Sequence, residues 1–192
     1  MDAIDRWVLS SAVQAISDSN FEFGKPAHQI TINVSEQSLK GSEYCDYALE
    51  EIARAGLSNQ MFRFDLREAV AIERVDLAGA FMRRMRDAGC QVGLDDFGIR
   101  LSSFADLKDL PVQYLKIDGS LVRRVEDDRY AQSVIEGIAR AAEILGVFTI
   151  AEHVESESMA ARLQELDISY AQGFHFGRPR SLQAFLEAAE TA

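Results

Sequence analysis

Side chains that could ligate a metal ion end six short apolar runs of the sequence. Two adjacent aspartates, Asp95 and Asp96, close one of these runs. The other runs end in Asn33, Asp65, Lys116 with Asp118, Glu152, and Gln172. Carboxylate and amide oxygens suit hard divalent cations such as Mg²⁺ and Mn²⁺, whereas zinc more often takes His or Cys. Because adjacent carboxylates stay ionised together when they share cations, this pattern predicts a metal site.

The predicted chemistry is phosphoester hydrolysis. Two metal ions roughly 3.5–4 Å apart, each served by a carboxylate, are the usual arrangement for that reaction. Lys116 stands among the acids. It could orient or deprotonate an attacking water, neutralise phosphate charge, or form only a structural salt bridge, and the sequence leaves these alternatives open.

Strand-like runs alternate with segments of helical period along the chain. The predicted strands are His28–Val34, Phe62–Leu66, Cys90–Asp95, Tyr114–Asp118, Val147–Glu152 and Ile168–Gly173. The predicted helices are Tyr44–Ala55, Val75–Ala88, Tyr130–Leu145, Ser156–Leu166 and Ser181–Ala189, preceded by an amphipathic helix that starts near Met1. Alternation predicts an α/β fold with parallel strands and crossover helices.

A doubly wound sheet and a (β/α) barrel both fit this alternation. No GxGxxG motif follows the first strand, and polar residues at every strand end favour a barrel, whose chemistry lies at that rim. No linker or low-complexity tract interrupts the pattern, so we expect one domain over residues 1–192.

The composition excludes several classes of function. A net charge of −11 repels polyphosphate, so DNA and RNA are not expected as partners. Two widely spaced cysteines without a CxxC motif, and no signal peptide, are typical of a cytoplasmic protein. No apolar run approaches the ~18 residues of a membrane span.

Taken together, seven motifs in order resemble the EAL domain family over nearly the whole chain. They are DRWVL (5–9), INVS (32–35), LDDFG (94–98), LSSF (101–104), LPVQYLKID (110–118), AEHVE (151–155) and AQGFHFGRP (171–179). The resemblance implies a modified (β/α)₈ TIM-like barrel. It also implies a phosphodiesterase that hydrolyses the bacterial messenger cyclic di-GMP to linear pGpG with Mg²⁺ or Mn²⁺.

The same resemblance assigns a role to each candidate site residue. Metal-ligand positions fall on Asn33, Asp65, Asp95, Asp96 and Glu152. Lys116 matches the lysine that assists the nucleophilic water, and Gln172 matches the glutamine that helps to fix the water and metal region. Glu155 matches an acid that supports the metal ligands, and Glu68 matches the glutamate that braces the loop after the aspartate pair.

The sequence lacks the Glu-Ala-Leu segment that names the family. Six strand candidates are present where closure of such a barrel needs eight. The missing segment would supply two strands and one metal-ligating glutamate. We expect a fragment of a longer protein; the alternative is a truncated relative that buries its open sheet edge in another way.

Three further substitutions distinguish this chain from the family pattern. Asp65 replaces a glutamate and is one methylene shorter, so a ligand there is displaced by roughly an ångström. Arg67 replaces a threonine; it adds positive charge beside the metals if it faces the rim and does little if it faces outward. Arg100 stands where the family has a glycine, in the loop that couples site, substrate and dimer.

Two functions remain open on the sequence alone. The first is a cyclic di-GMP phosphodiesterase, with weak or no turnover expected from this chain. The second is a degenerate, non-catalytic module that binds cyclic di-GMP or only a protein partner. The resemblance also implies a homodimer and an upstream GGDEF or sensor domain. Phe174 and Phe176 could stack on a guanine, but we expect them in the barrel core.

Overall fold

The computed structural model describes residues 2–19, 29–99 and 107–190 of the chain. Its strands are β1 (Ile30–Val34), β2 (Phe62–Arg67), β3 (Gln91–Phe97), β4 (Tyr114–Ile117), β5 (Phe148–Ala151) and β6 (Tyr170–Ala171). They form one six-stranded sheet in the order β1-β2-β3-β4-β5-β6. A doubly wound sheet reverses its strand order at a switch point, so this sequential order excludes that alternative among the described strands. The six predicted strands are confirmed.

The helices follow the strands as the sequence pattern predicts. They are α1 (Asp2–Ser17), α2 (Glu43–Arg54), α3 (Glu68–Glu73), α4 (Val75–Asp87), α5 (Gly119–Val122), α6 (Arg129–Leu145), α7 (Glu157–Glu165) and α8 (Leu182–Glu190). The predicted helices are confirmed to within one or two residues, as is usual for helix ends. The sequence analysis missed α3 and α5, because six and four residues are too short to show a helical period.

The chain divides into two compact units. The first comprises Met1–Leu66, Asp76–Val92 and Arg180–Ala192, and the second comprises Arg67–Val75 and Gly93–Pro179.

An aromatic cluster forms part of the core of the first unit. Tyr44 of α2 stacks on Phe81 of α4 with ring centroids 6.3 Å apart. Phe64 of β2 meets Phe81 edge-on at 6.2 Å. Leu9 of α1 and Ile52 of α2 are fully buried with them. These contacts bury the apolar faces of three helices, which is the main source of helix stability in a protein.

A buried aspartate ties helix α1 to the end of β1. The Asp5 side chain is only 7% exposed. Its Oδ2 accepts hydrogen bonds from the Ser35 backbone N at 2.8 Å and from the Ser38 hydroxyl at 2.6 Å. A buried carboxylate requires such partners, and these fix the backbone that directly follows β1.

In the second unit the strands pack through aromatic rings. Tyr114 of β4 stacks on Phe148 of β5 at 5.2 Å, and Phe148 meets Tyr170 of β6 edge-on at 5.4 Å. Gly93 of β3 lies against the Tyr114 ring, where a Cβ would come within 2.2 Å of the ring carbons. A glycine is therefore required at this position for the neighbouring strand to pack.

Local hydrogen bonds set the ends of the helices in the second unit. Asp128 accepts from the Tyr130 backbone N at 2.8 Å and begins α6. Gly146 ends the same helix in the left-handed conformation, which glycine adopts readily. Within the described residues, no helix has the length and apolar character needed to span a membrane.

Candidate metal centre

The two aspartates stand side by side because strand β3 is irregular at that point. Leu94 pairs with Leu115 of β4, but the next pair joins Phe97 to Ile117. Both aspartates therefore lie opposite one residue, Lys116, as in a β-bulge. Asp96 has a φ of 56°, in the left-handed region. A regular strand would send Asp95 and Asp96 to opposite faces, so the bulge lets both carboxylates reach one site.

Lys116 of β4 joins two carboxylates of this site. Its Nζ lies 2.7 Å from Glu152 Oε1 and 3.4 Å from Asp95 Oδ1. The side chains of Lys116, Asp95 and Glu152 are 11%, 17% and 12% exposed, respectively. Because the three side chains are mostly buried, the ammonium group of Lys116 effectively offsets the repulsion between the two carboxylates.

Gln172, which directly follows β6, contacts the same glutamate. Its Nε2 donates a hydrogen bond to Glu152 Oε1 at 2.8 Å. The two backbones are joined nearby, since Gln172 N donates to Ala151 O at 2.8 Å and Val154 N donates to Gln172 O at 3.0 Å. Glu152 is thus held by both a lysine and an amide.

A glycine allows these two segments to approach. Gly173 has a φ of 156°, and a Cβ there would lie 2.2 Å from the Val154 carbonyl oxygen. The sequence analysis did not identify this positioning residue. The signal was the glycine itself, since a glycine at a strand end often marks close backbone contact.

The cluster of three carboxylates is suited to a divalent cation. Among the described residues, one oxygen from each of Asp95, Asp96 and Glu152 lies within 4.8 Å of the others. The buried Asp95 Oδ1 accepts no hydrogen bond from the residues that the structure describes, and its contact with Lys116 Nζ is a long ion pair at 3.4 Å. An all-oxygen donor set with a buried oxygen that lacks a hydrogen bond fits a hard cation such as Mg²⁺ or Mn²⁺.

Burial raises the pKa of two of these carboxyl groups. For Glu152 the main cause is desolvation, which the nearby Lys116 ammonium opposes. For Asp96 the main cause is again desolvation, followed by the charge of Asp95, while Arg67 opposes the shift. Both raised pKa values show that the negative charge is costly here, which is the condition a bound cation relieves.

Arg67 reaches the third carboxylate. Its Nε lies 3.5 Å from Asp96 Oδ2, and the two side chains are 73% and 42% exposed. Of the two orientations considered from the sequence, this places the positive charge beside the acidic cluster.

The buried Glu68 binds the start of the loop that follows the aspartates. Its Oε2 accepts a hydrogen bond from the Gly98 backbone N at 3.1 Å. Gly98 has a φ of 97°, which favours glycine. Residues 100–106, which include Arg100, lie outside the described residues.

The remaining candidates lie on other segments of the chain. Asn33 and Asp65 belong to the first unit, where they pair in register between β1 and β2. Asn33 is exposed and Asp65 is buried. Glu155 is exposed in the segment after β5. Asp118 caps α5, since its carboxylate accepts from Ser120 N at 2.7 Å. The roles of Asn33, Asp65 and Glu155 stay predictions.

The expectation that Phe174 and Phe176 are core residues is wrong. Their side chains are 53% and 58% exposed. The Arg178 guanidinium lies 5.1 Å from the centre of the Phe174 ring. The error has a physical cause: both residues follow the two-residue strand β6, so they lie in a turn that has no inward face.

Comparison with known families tests the resemblance directly. The model of the EAL domain matches residues 1–179. The chain belongs to the EAL domain family. It is also 33% identical over 164 residues to the cyclic di-GMP phosphodiesterase PdeB of Shewanella oneidensis, which covers 85% of this chain. The chain spans only 19% of the length of that relative.

Solved structures of EAL proteins share the fold. The PaMucR phosphodiesterase, in a complex with c-di-GMP, matches with a TM-score of 0.86 and 25% identity over 95% of this chain and 74% of its own. BlrP1 of Klebsiella pneumoniae, in a manganese and cy-diGMP complex, matches with a TM-score of 0.77 and 26% identity over 91% of this chain and 43% of its own. The prediction of an incomplete TIM-like barrel is confirmed.

Proposed function

We propose that this EAL domain binds cyclic di-GMP and hydrolyses it to linear pGpG with Mg²⁺ or Mn²⁺. The observation that carries the proposal is the position of Lys116, whose ammonium lies between Asp95 and Glu152 in a cluster of three carboxylates. The family membership and the c-di-GMP complex of PaMucR support the same ligand.

Five residues are proposed to hold the divalent ions. Asp95, Asp96 and Glu152 form the cluster, and Asn33 and Asp65 are proposed to join them through their oxygens. The bound ions would supply charge neutralisation on the phosphate and an acidified water at neutral pH. Gln172 orients Glu152 through its amide hydrogen bond, so that the carboxylate keeps one direction.

Lys116 is proposed to act as a hydrogen-bond donor in the site. As an ammonium beside two carboxylates, it can donate a hydrogen bond to a water or to a phosphate oxygen. A water bound beside Lys116 and Glu152 would have a hydrogen-bond donor in the ammonium group and an acceptor in the carboxylate. Glu68 and Glu155 are proposed to act indirectly, Glu68 through the Gly98 backbone that follows the aspartates.

The second candidate is a receptor that binds cyclic di-GMP without cleaving it. The ion pair between Arg67 and Asp96 favours it, because a cationic side chain already lies beside a carboxylate that the metals need. We therefore expect slow turnover.

The test is incubation of the protein with cyclic di-GMP and Mn²⁺, followed by chromatography for pGpG. Formation of pGpG that stops with EDTA and in Glu152→Gln supports the enzyme. The matched control is Glu165→Gln, an exposed acid of α7 that pairs with Arg162 on the same helix. Saturable binding of cyclic di-GMP with no product after prolonged incubation would reject the enzyme and leave the receptor.

A further inference from the structure

Every carboxylate of the acidic cluster already has a cationic side chain beside it. Lys116 contacts Asp95 and Glu152 from inside the site. Arg67 contacts Asp96 from the outside, with its Nε 3.5 Å from Asp96 Oδ2. Three negative charges thus face two positive charges, and the net charge available to attract a divalent ion is about −1 instead of the −2 that Lys116 alone would leave.

The two cations differ in how firmly they are held. Lys116 is 11% exposed and lies on a central strand, so its position is fixed by packing. Arg67 is 73% exposed and pairs with the most open of the three carboxylates. Exposed ion pairs of this kind are weak and are screened by salt. A divalent ion can therefore displace Arg67 from Asp96, but only against that competition.

We propose that Arg67 competes with divalent cations for Asp96 and thereby weakens metal binding at this centre. The inference rests on the proposed function, because it assumes that Asp96 is a metal ligand. It makes Arg67 a positioning residue that sets how much metal the domain needs. At low concentrations of the divalent ion the Arg67 guanidinium stays paired with Asp96, and at high concentrations it is displaced.

The size of the effect follows from the charges. A unit charge roughly 5 Å from a divalent ion, in a water-like medium, raises the dissociation constant about fivefold at ~0.15 M salt and more at lower salt. The effect on affinity should therefore grow as salt is removed, whereas a change in packing would be insensitive to salt.

The experiment measures the dissociation constant of Mn²⁺ by electron paramagnetic resonance of the free ion, in Arg67→Gln and in the unsubstituted protein. Glutamine keeps much of the side-chain length but removes the charge, and we expect about fivefold tighter binding. Arg67→Lys keeps the charge, so its dissociation constant should stay close to the original. The matched control is Arg140→Gln, because Arg140 is also 73% exposed and pairs with Glu143 on its own helix, α6.

Each outcome decides the inference. Tighter binding in Arg67→Gln alone, with the gain larger at low salt, supports it. An unchanged or weaker affinity in Arg67→Gln, an equal gain in Arg140→Gln, or no Mn²⁺ binding in any variant overturns it. The proposed hydrolysis is judged separately by pGpG: tighter Mn²⁺ binding without any product rejects hydrolysis only, whereas product with equal affinities rejects only the competition by Arg67.

Discussion

Two pairs of parallel strands in this protein end in oxygen-bearing side chains, and they do so differently. In β1 and β2 the register is regular through Asn33 and Asp65, and the backbone beyond β1 is fixed by Asp5. In β3 and β4 the register shifts, and Asp96 adopts a positive φ. A regular pair presents one polar side chain per strand at the rim. The irregular pair presents two adjacent carboxylates opposite one lysine, and this difference is why we propose the cation site at the second pair.

The largest expected effect comes from removing the lysine of the irregular strand pair, β3 and β4. Lys116→Met leaves Asp95 and Glu152 as nearly buried acids without their cation, so we expect a loss of about 2–3 kcal/mol in the free energy of unfolding in EDTA. Production of pGpG should fall at least ~100-fold, since Lys116 is proposed to assist the water. Urea unfolding and the chromatographic assay measure the two effects.

Lys108→Met is the control for that change, because Lys108 is exposed in the same unit. Equal stabilities for the Lys116 and Lys108 variants in EDTA would show that the ammonium does not offset the acids.

A second substitution tests how the backbone presents Glu152 and Gln172. Gly173→Ala adds a Cβ that would lie 2.2 Å from the Val154 carbonyl oxygen, at a φ of 156°. We expect a loss of about 2–3 kcal/mol of stability, because backbone atoms have to move to relieve the clash. Gly137→Ala on α6 has open space around it and should instead gain about 0.5–1 kcal/mol. Similar melting temperatures for the two variants would contradict the close approach.

The regular pair is tested at its anchor. Asp5→Asn removes the charge that accepts from Ser35 N and the Ser38 hydroxyl, and should cost about 1–2 kcal/mol. Asp18→Asn, at the exposed end of the same helix, should cost less than ~0.5 kcal/mol in the same urea titration. If the two variants were equally stable, the end of β1 would not depend on Asp5.

The last effect, which is absent at neutral pH, concerns the two thiols buried in the first unit. Burial raises the pKa of Cys45 to about 11 and that of Cys90 to about 12. The unfolded chain ionises its thiols near pH 8.5–9, so their contribution to stability is complete below that range and falls as the pH rises toward 11. At pH 10 the expected loss is about 1.5 kcal/mol for each thiol.

Urea unfolding at pH 7.5 and pH 10 isolates this loss when the protein is compared with the double variant Cys45→Ala, Cys90→Ala. Other groups that titrate in this range are common to both proteins. The same pH dependence in both would show that the thiols do not contribute.

The sequence was sufficient for the strands and for most of the side chains at their ends. Periodicity of two and of 3.6 residues located the six strands and the longer helices, since these patterns reflect burial of one face. It could not locate the bulge at Asp95 and Asp96, because an irregular register depends on the partner strand and leaves no period of its own. The direction of the Arg67 side chain was undecided for a similar reason. Arg67 is the last residue of β2, and its orientation depends on the neighbouring Asp96, which the sequence pattern does not place.

Phe174 and Phe176 show the opposite failure. Their types suit a core, but the chain has already left β6 when it reaches them, and local backbone geometry decides their exposure. The apolar residue type therefore gave a wrong prediction of burial, because the short length of β6 decides the exposure of these two side chains.

The most direct test of the account is the anomalous scattering of Mn²⁺ in crystals of the protein grown with that ion. The account predicts a peak within about 2.5 Å of carboxylate oxygens from Asp95, Asp96 and Glu152, with Arg67 withdrawn from Asp96. A map with manganese absent from these residues, and with Lys116 and Arg67 still on their carboxylates at saturating Mn²⁺, would contradict it.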